Sequence, residues 1–235
     1  MNPEKPLGHK SYGTIGHLPG SRQGRDDKGI SLGQAKICLQ KPRDKHDCIV
    51  VQEKLDGTNV SVANVDGTLV PLIRAGYPAV SSHYEQHRIF AAWAFERLPL
   101  FDFLKPGERA CGEWLAQAHG TRYKLIHDPF VVFDIMRSGH ERALWSEVAE
   151  RTAGRLVTPT TIHQGPPCSI EQVLKLLGTY GFHGAIDPIE GAVWRVERKG
   201  VVDFLAKYVR PEKVDGLYLP ELSGQPAVWN YWQPS

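Results

Sequence analysis

Two Gly-containing turns set the tightest limit on what this chain can become. Asp66-Gly67 separates the alternating run Thr58–Ala63 from Thr68–Arg74, and Arg198-Lys199-Gly200 joins Gly191–Val196 to Val201–Val209. A short Gly-containing turn between β-branched runs is a hairpin signal, and hairpins pair neighbouring strands antiparallel. Further strand-like runs lie at Cys48–Lys54, Ala110–Ala116 and Phe130–Met136, and Pro71 marks an edge or a bulge. Helical spacing is confined to isolated stretches. Ile89, Phe90, Trp93, Ala94 and Phe95 predict one helix over 83–98, closed by Pro99. A second helix starts near Ser146, and a third at Ser169, whose Gln172 completes a capping box, ending near Gly178. Strands in hairpins, interrupted by helices rather than alternating with them, predict an α+β fold on antiparallel sheets. A Rossmann-type fold is excluded on the same pattern, and neither a dinucleotide-binding nor a P-loop glycine motif occurs.

The 235 residues suffice for one sizeable core. The longest apolar runs, such as Ile49–Val51 and Phe130–Phe133, fall far short of the ~20 residues of a membrane helix, so no membrane partner is expected. No apolar stretch follows the first charges, which predicts a cytoplasmic address. Cys38, Cys48, Cys111 and Cys168 form no C-x-x-C pair and read as reduced, mostly buried thiols. The net charge is only +2, yet residues 1–46 carry nine Lys and Arg against four Asp and Glu. That basic N-terminal segment either lies along a phosphate backbone or is a solvated leader. The expected organisation is segment 1–46, packed on the core, followed by one catalytic domain over 47–235. The aromatic end, Trp229, Tyr231 and Trp232, caps the core or stacks on bases.

The segment richest in chemistry is Glu53-Lys54-Leu55-Asp56-Gly57-Thr58-Asn59. A lysine amine is a nucleophile only when uncharged, a state that neighbouring cations, a metal or desolvation favour. Gly57 is expected to turn the backbone so that the amine faces a pocket. His83 and His87 share a helical face, but no third ligand follows at zincin spacing, and no Gly-x-Ser-x-Gly elbow is present.

Five further segments follow in order, Ile73-Arg74-Ala75-Gly76, Cys111-Gly112-Glu113-Trp114, Val131-Val132-Phe133-Asp134, Glu190-Gly191-Ala192-Val193 and Leu205-Ala206-Lys207-Tyr208. With the first, they resemble the motif series of the covalent nucleotidyltransferases, in particular the RNA ligases of the RNA ligase 2-like branch. The resemblance spans roughly Glu53 to Arg210. It implies an antiparallel-sheet adenylation (nucleotidyltransferase) domain of the ATP-grasp-like ligase type. Lys54 would become AMP-linked. Glu53, Arg74, Glu113 and Phe133 would bind the nucleotide, with Phe133 stacking on adenine and Glu113 holding the ribose. Lys207 would grip the α-phosphate as a second catalytic group, Glu190 would serve Mg²⁺ or Mn²⁺, and Asn59 would meet the incoming nucleic-acid end.

The chain departs from the family pattern in two respects. Leu205 stands where the family shows a second lysine, so Arg210 or Lys199 substitutes for it or one phosphate contact is lacking. The short stretch after Arg210 implies no C-terminal OB domain, which makes Arg22 and Arg210 candidates for the substrate surface. The expected activity is ATP-dependent joining of RNA 5′-phosphate and 3′-hydroxyl ends by a monomer, through lysyl-AMP and an adenylated 5′ end. The competing readings are a DNA ligase, an RNA 5′-end adenylyltransferase, and a non-enzymatic module that binds nucleic-acid ends.

Overall fold

The computed structural model of the chain describes residues 4–138 and 140–231, so Trp232 lies outside the described residues. In chain order the elements are β1 (Gly16–His17), α1 (Leu32–Leu39), β2 (Asp47–Lys54), β3 (Thr58–Val65), β4 (Thr68–Ile73), α2 (Glu85–Phe95) and β5 (Arg109–Trp114). Then follow β6 (Phe130–Met136), α3 (Trp145–Thr152), β7 (Thr161–Gly165), α4 (Ile170–Leu177), β8 (Gly191–Arg198), β9 (Val201–Val209) and α5 (Pro220–Ser223). The chain divides into two units, and each carries one sheet.

The first unit comprises residues 4–14, 57–117 and 127–158. Its sheet has the order β4-β3-β5-β6 and is antiparallel throughout. Asp66 and Gly67 both adopt positive φ, the conformation a tight hairpin between β3 and β4 requires. Pro71 sits in β4, an edge strand, where a missing N–H costs no ladder bond. The core is aromatic. Phe90 and Trp93 of α2 meet Trp114 and Phe130 at ring-centroid distances of 5.3 to 5.7 Å, and Phe101 closes the cluster. Burial of such rings is a large stabilising contribution, ~2–3 kcal/mol each.

The second unit comprises residues 15–56, 118–126 and 159–231. Its sheet runs β1-β9-β8-β2-β7, antiparallel except where β1 lies parallel on the edge of β9. The β8–β9 hairpin turns at Lys199-Gly200, again both at positive φ. Trp194 is wholly buried, and its indole N–H donates to Cys168 O at 3.1 Å. The capping box of α4 forms as expected from Ser169 and Gln172. The cysteines are free thiols, three of them buried.

Four elements escape the sequence reading, one of them the four-residue helix α5. Strand β1 is two residues long, and β7 is a polar edge strand. Helix α1 has a genuine capping box at Ser31 and Gln34, but its first residue, Leu32, is 83% exposed, so no apolar stripe announces it. Among the described residues no helix is long and apolar enough to cross a membrane.

Candidate active site

In the chain, Glu53 to Asp56 of the lysine motif belong to the second unit and Gly57 to Asn59 to the first. In the second unit, alternation along β2 sends neighbouring side chains to opposite faces. Glu53 is 2% exposed and receives the Phe182 N–H on Oε2 at 2.8 Å. Burial drives its carboxyl up to about 7, with the Phe182 N–H opposing. Lys54, the last residue of β2, keeps its side chain 21% exposed, and its Nζ lies 2.6 Å from Glu190 Oε2. The pair is a product of register: β2 and β8 align Lys54 with Gly191, the residue after Glu190. Burial raises the Glu190 carboxyl, and the Lys54 charge pulls in the opposite direction.

Lys207 enters from β9, where it pairs with Val193 of β8. Burial lowers its ammonium, and the neighbouring positive charge of Lys54 adds to that. Lys207 Nζ stands 3.6 Å from Asp27 Oδ1. Lys54, Glu190 and Lys207 are thus gathered at one end of the second unit's sheet.

Two contacts at this end carry no sequence signal. Asp56 Oδ2 accepts the Gly120 N–H at 2.9 Å and pairs with Lys213 Nζ at 2.8 Å, and Lys213 is buried. Asp56 is therefore held within the fold. Lys213 is one lysine in a polar stretch, and only the fold brings it to the motif.

The remaining second-unit candidates are engaged by the chain itself. Arg22 pairs with Asp215, while Arg210 donates to Gly178 O at 2.5 Å. Ser21, beside Arg22, is buried against His17 Nδ1 and the Val209 N–H. Lys199 sits in the β8–β9 turn, roughly 20 Å along an extended strand from Lys207. It does not reach the position of a second phosphate-binding lysine.

In the first unit, β3 and β5 align Asn59 with Glu113. Glu113 Oε1 accepts the Gly57 N–H at 3.1 Å, and Asn59 Oδ1 is buried with no hydrogen-bond partner among the described residues. Gly57 is not in the left-handed region. A Cβ there would meet Trp114 O at 2.4 Å, so close approach to β5, rather than a turn, demands glycine. Phe133 is half-buried and meets the Tyr12 ring edge-on at 5.1 Å. Arg74 is exposed and donates to Gly13 O at 3.1 Å.

No group of three or more His, Cys, Asp or Glu side chains converges among the described residues. A cage built wholly of protein ligands is therefore not on offer. Mg²⁺ takes one or two carboxylates and fills its shell with water and substrate phosphates. Glu190, with its carboxylate turned to the Lys54 amine, fits that requirement.

A family model described as RNA ligase matches residues 47–209. Among solved structures, a mutant Naegleria gruberi RNA ligase with ATP and Mn aligns with TM-score 0.55 at 15% identity, covering 88% of this chain and 61% of that one. Another mutant of it with ATP and Mn gives 0.54 at 16%, covering 83% and 59%. An archaeal ATP-dependent RNA ligase gives 0.50 at 20% identity, covering 83% of this chain. The chain spans about half the length of the archaeal structures, 44% and 48%. No curated protein matches it. At such identities the structural likeness speaks to the fold.

Proposed function

The chain belongs to the RNA ligase family, and from that premise we propose that it is an ATP-dependent RNA ligase whose nucleophile is Lys54. The observation that carries the reading is the Lys54–Glu190 contact of 2.6 Å with Lys207 in the same cluster. An isolated surface lysine has no use for a buried carboxylate and a second cation.

In the first step Lys54 Nζ, having lost its proton to solvent, attacks the α-phosphorus of ATP. The new P–N bond forms as the bond to the bridging oxygen breaks, and pyrophosphate leaves with that oxygen. Negative charge builds on the α-phosphate, and a fixed ammonium at Lys207 stabilises it most in the transition state. Glu190 is the residue that would hold Mg²⁺ or Mn²⁺, which when bound neutralises phosphate charge. Glu53, Arg74, Glu113 and Phe133 are the nucleotide-binding set that the family likeness implies. The AMP then passes to an RNA 5′-phosphate, and attack by a 3′-hydroxyl releases AMP and seals the ends. Asn59, Arg22 and Arg210 are the candidates for that RNA surface. Residues 47–235 form the adenylation domain in this reading, of the ATP-grasp-like ligase type, and the basic segment 1–46 packs on it.

The test is end joining. RNA with a 5′-phosphate and a 3′-hydroxyl held at a nick is incubated with the protein, ATP and Mg²⁺. A joined, ATP-dependent product is expected. Its absence from RNA, with joining of nicked DNA instead, would overturn the RNA assignment; accumulation of adenylated 5′ ends alone would mark an adenylyltransferase.

A further inference from the structure

The motif series does not reach residues 15–30, yet they meet β9 at Lys207. Strand β1 sets His17 opposite Lys207. The Leu18 N–H donates to Lys207 O at 2.8 Å and the Arg22 N–H to Val209 O at 3.0 Å. The chain then turns at Gly24, and Asp27 Oδ2 accepts the Gly24 N–H at 2.9 Å while standing 3.1 Å from His17 Nε2. Both contacts engage one oxygen of the carboxylate. The other, Oδ1, is left toward Lys207 Nζ at 3.6 Å. His17 is itself fixed, with its side chain 1% exposed and Nδ1 2.7 Å from Ser21 Oγ.

We propose that Asp27 is a positioning residue for Lys207, holding its ammonium where charge develops on the nucleotide's α-phosphate. The inference rests on the function proposed above. A lysine has a flexible four-carbon stem, and fixing it costs rotamer entropy. An ammonium already anchored contributes to the transition state without reorganising. The 3.6 Å separation makes this a long ion pair, and one carboxylate oxygen engages at most one of the three N–H donors of Lys207. Asp27 is also a negative charge near an incoming triphosphate, which weakens ground-state binding. Its removal therefore lowers the rate of adduct formation without weakening ATP binding, the signature of an interaction made in the transition state.

The experiment follows covalent labelling of the full-length protein by α-labelled ATP, in single turnover over a series of ATP concentrations. Wild type, Asp27→Asn, Asp27→Glu, Lys207→Ala and the double variant are compared. Asp27→Asn is expected to slow labelling on the order of ten- to a hundredfold, with half-saturation at equal or lower ATP. Asp27→Glu should recover part of the rate. In the Lys207→Ala background, Asp27→Asn should change the residual rate less than twofold. A labelled wild type matched by Asp27→Asn would overturn the inference alone. So would a fall in labelled fraction at unchanged rate, which means lost folding, or an equal penalty with and without Lys207. A wild type that takes no label would overturn the ligase reading and the inference with it.

Discussion

Glu53→Gln is predicted to stabilise the protein at alkaline pH and to leave it nearly unchanged in acid. The carboxyl is buried beneath Gly181, where a Cβ would meet Glu53 Oε1 at 2.1 Å, and it receives one backbone N–H. Burial lifts it from 4.5 to about 7. A carboxyl raised on folding favours the neutral form, so its contribution is fully present below pH 4.5 and is lost as pH rises through about 7. At about 1.36 kcal/mol per pKa unit, the full loss is about 3 kcal/mol. Glutamine has the same shape, keeps an oxygen for the Phe182 N–H and does not ionise. The advantage of the variant should therefore grow by about 2–3 kcal/mol between pH 5 and pH 8. Chemical denaturation at a series of pH values measures this, and in melting curves the gap should open by about 5–10 °C. A difference that is constant with pH, or a glutamate form more stable at pH 8, would refute the assignment of a strained, buried carboxyl.

Lys213→Met should lower stability by about 3 kcal/mol, since it strands Asp56 beside a buried site; a melting temperature unchanged within 2 °C would contradict that. Glu190→Gln is expected to slow covalent labelling by ATP at least on the order of a hundredfold while leaving the melting temperature near wild type, and a labelling rate within threefold of wild type would remove Glu190 from the chemistry. Chelation with EDTA should stop labelling, and Mn²⁺ or Mg²⁺ should restore it; labelling that persists in EDTA would exclude a metal at this step. Phe133→Ala should raise the ATP concentration for half-maximal labelling about tenfold, the loss of one stacking contact of ~1–1.5 kcal/mol, and an unchanged value would remove Phe133 from nucleotide binding.

The two Gly-containing turns carry most of the fold. Both expected hairpins form, the second with its turn narrowed to Lys199-Gly200 because Arg198 stays in β8, and the α4 capping box forms from Ser169 and Gln172. What the sequence leaves out is local weakness compensated by distant pairing. Strand β1 exists because Gly16 and His17 find Ala206 and Lys207, far away in the chain, and nothing in a two-residue strand advertises that. The same distance hides Asp27 and Lys213, each an ordinary charged residue until register brings it beside Lys207 or Asp56. The Lys54–Glu190 contact is legible only through the ordered motifs, since no periodicity joins residues so far apart. Gly57 was readable as a constrained position, but the constraint is steric contact with Trp114 O rather than a left-handed backbone.

Ligation by the proposed route requires one side chain to become covalently bound to the nucleotide. The wild-type protein, incubated with ATP and Mg²⁺ and then denatured and digested, should yield a single AMP-bearing peptide, with the modification on Lys54 by fragment mass spectrometry and none in Lys54→Ala. AMP found on Lys207 or Lys213 instead, or no modified peptide after exposure to ATP, would contradict it.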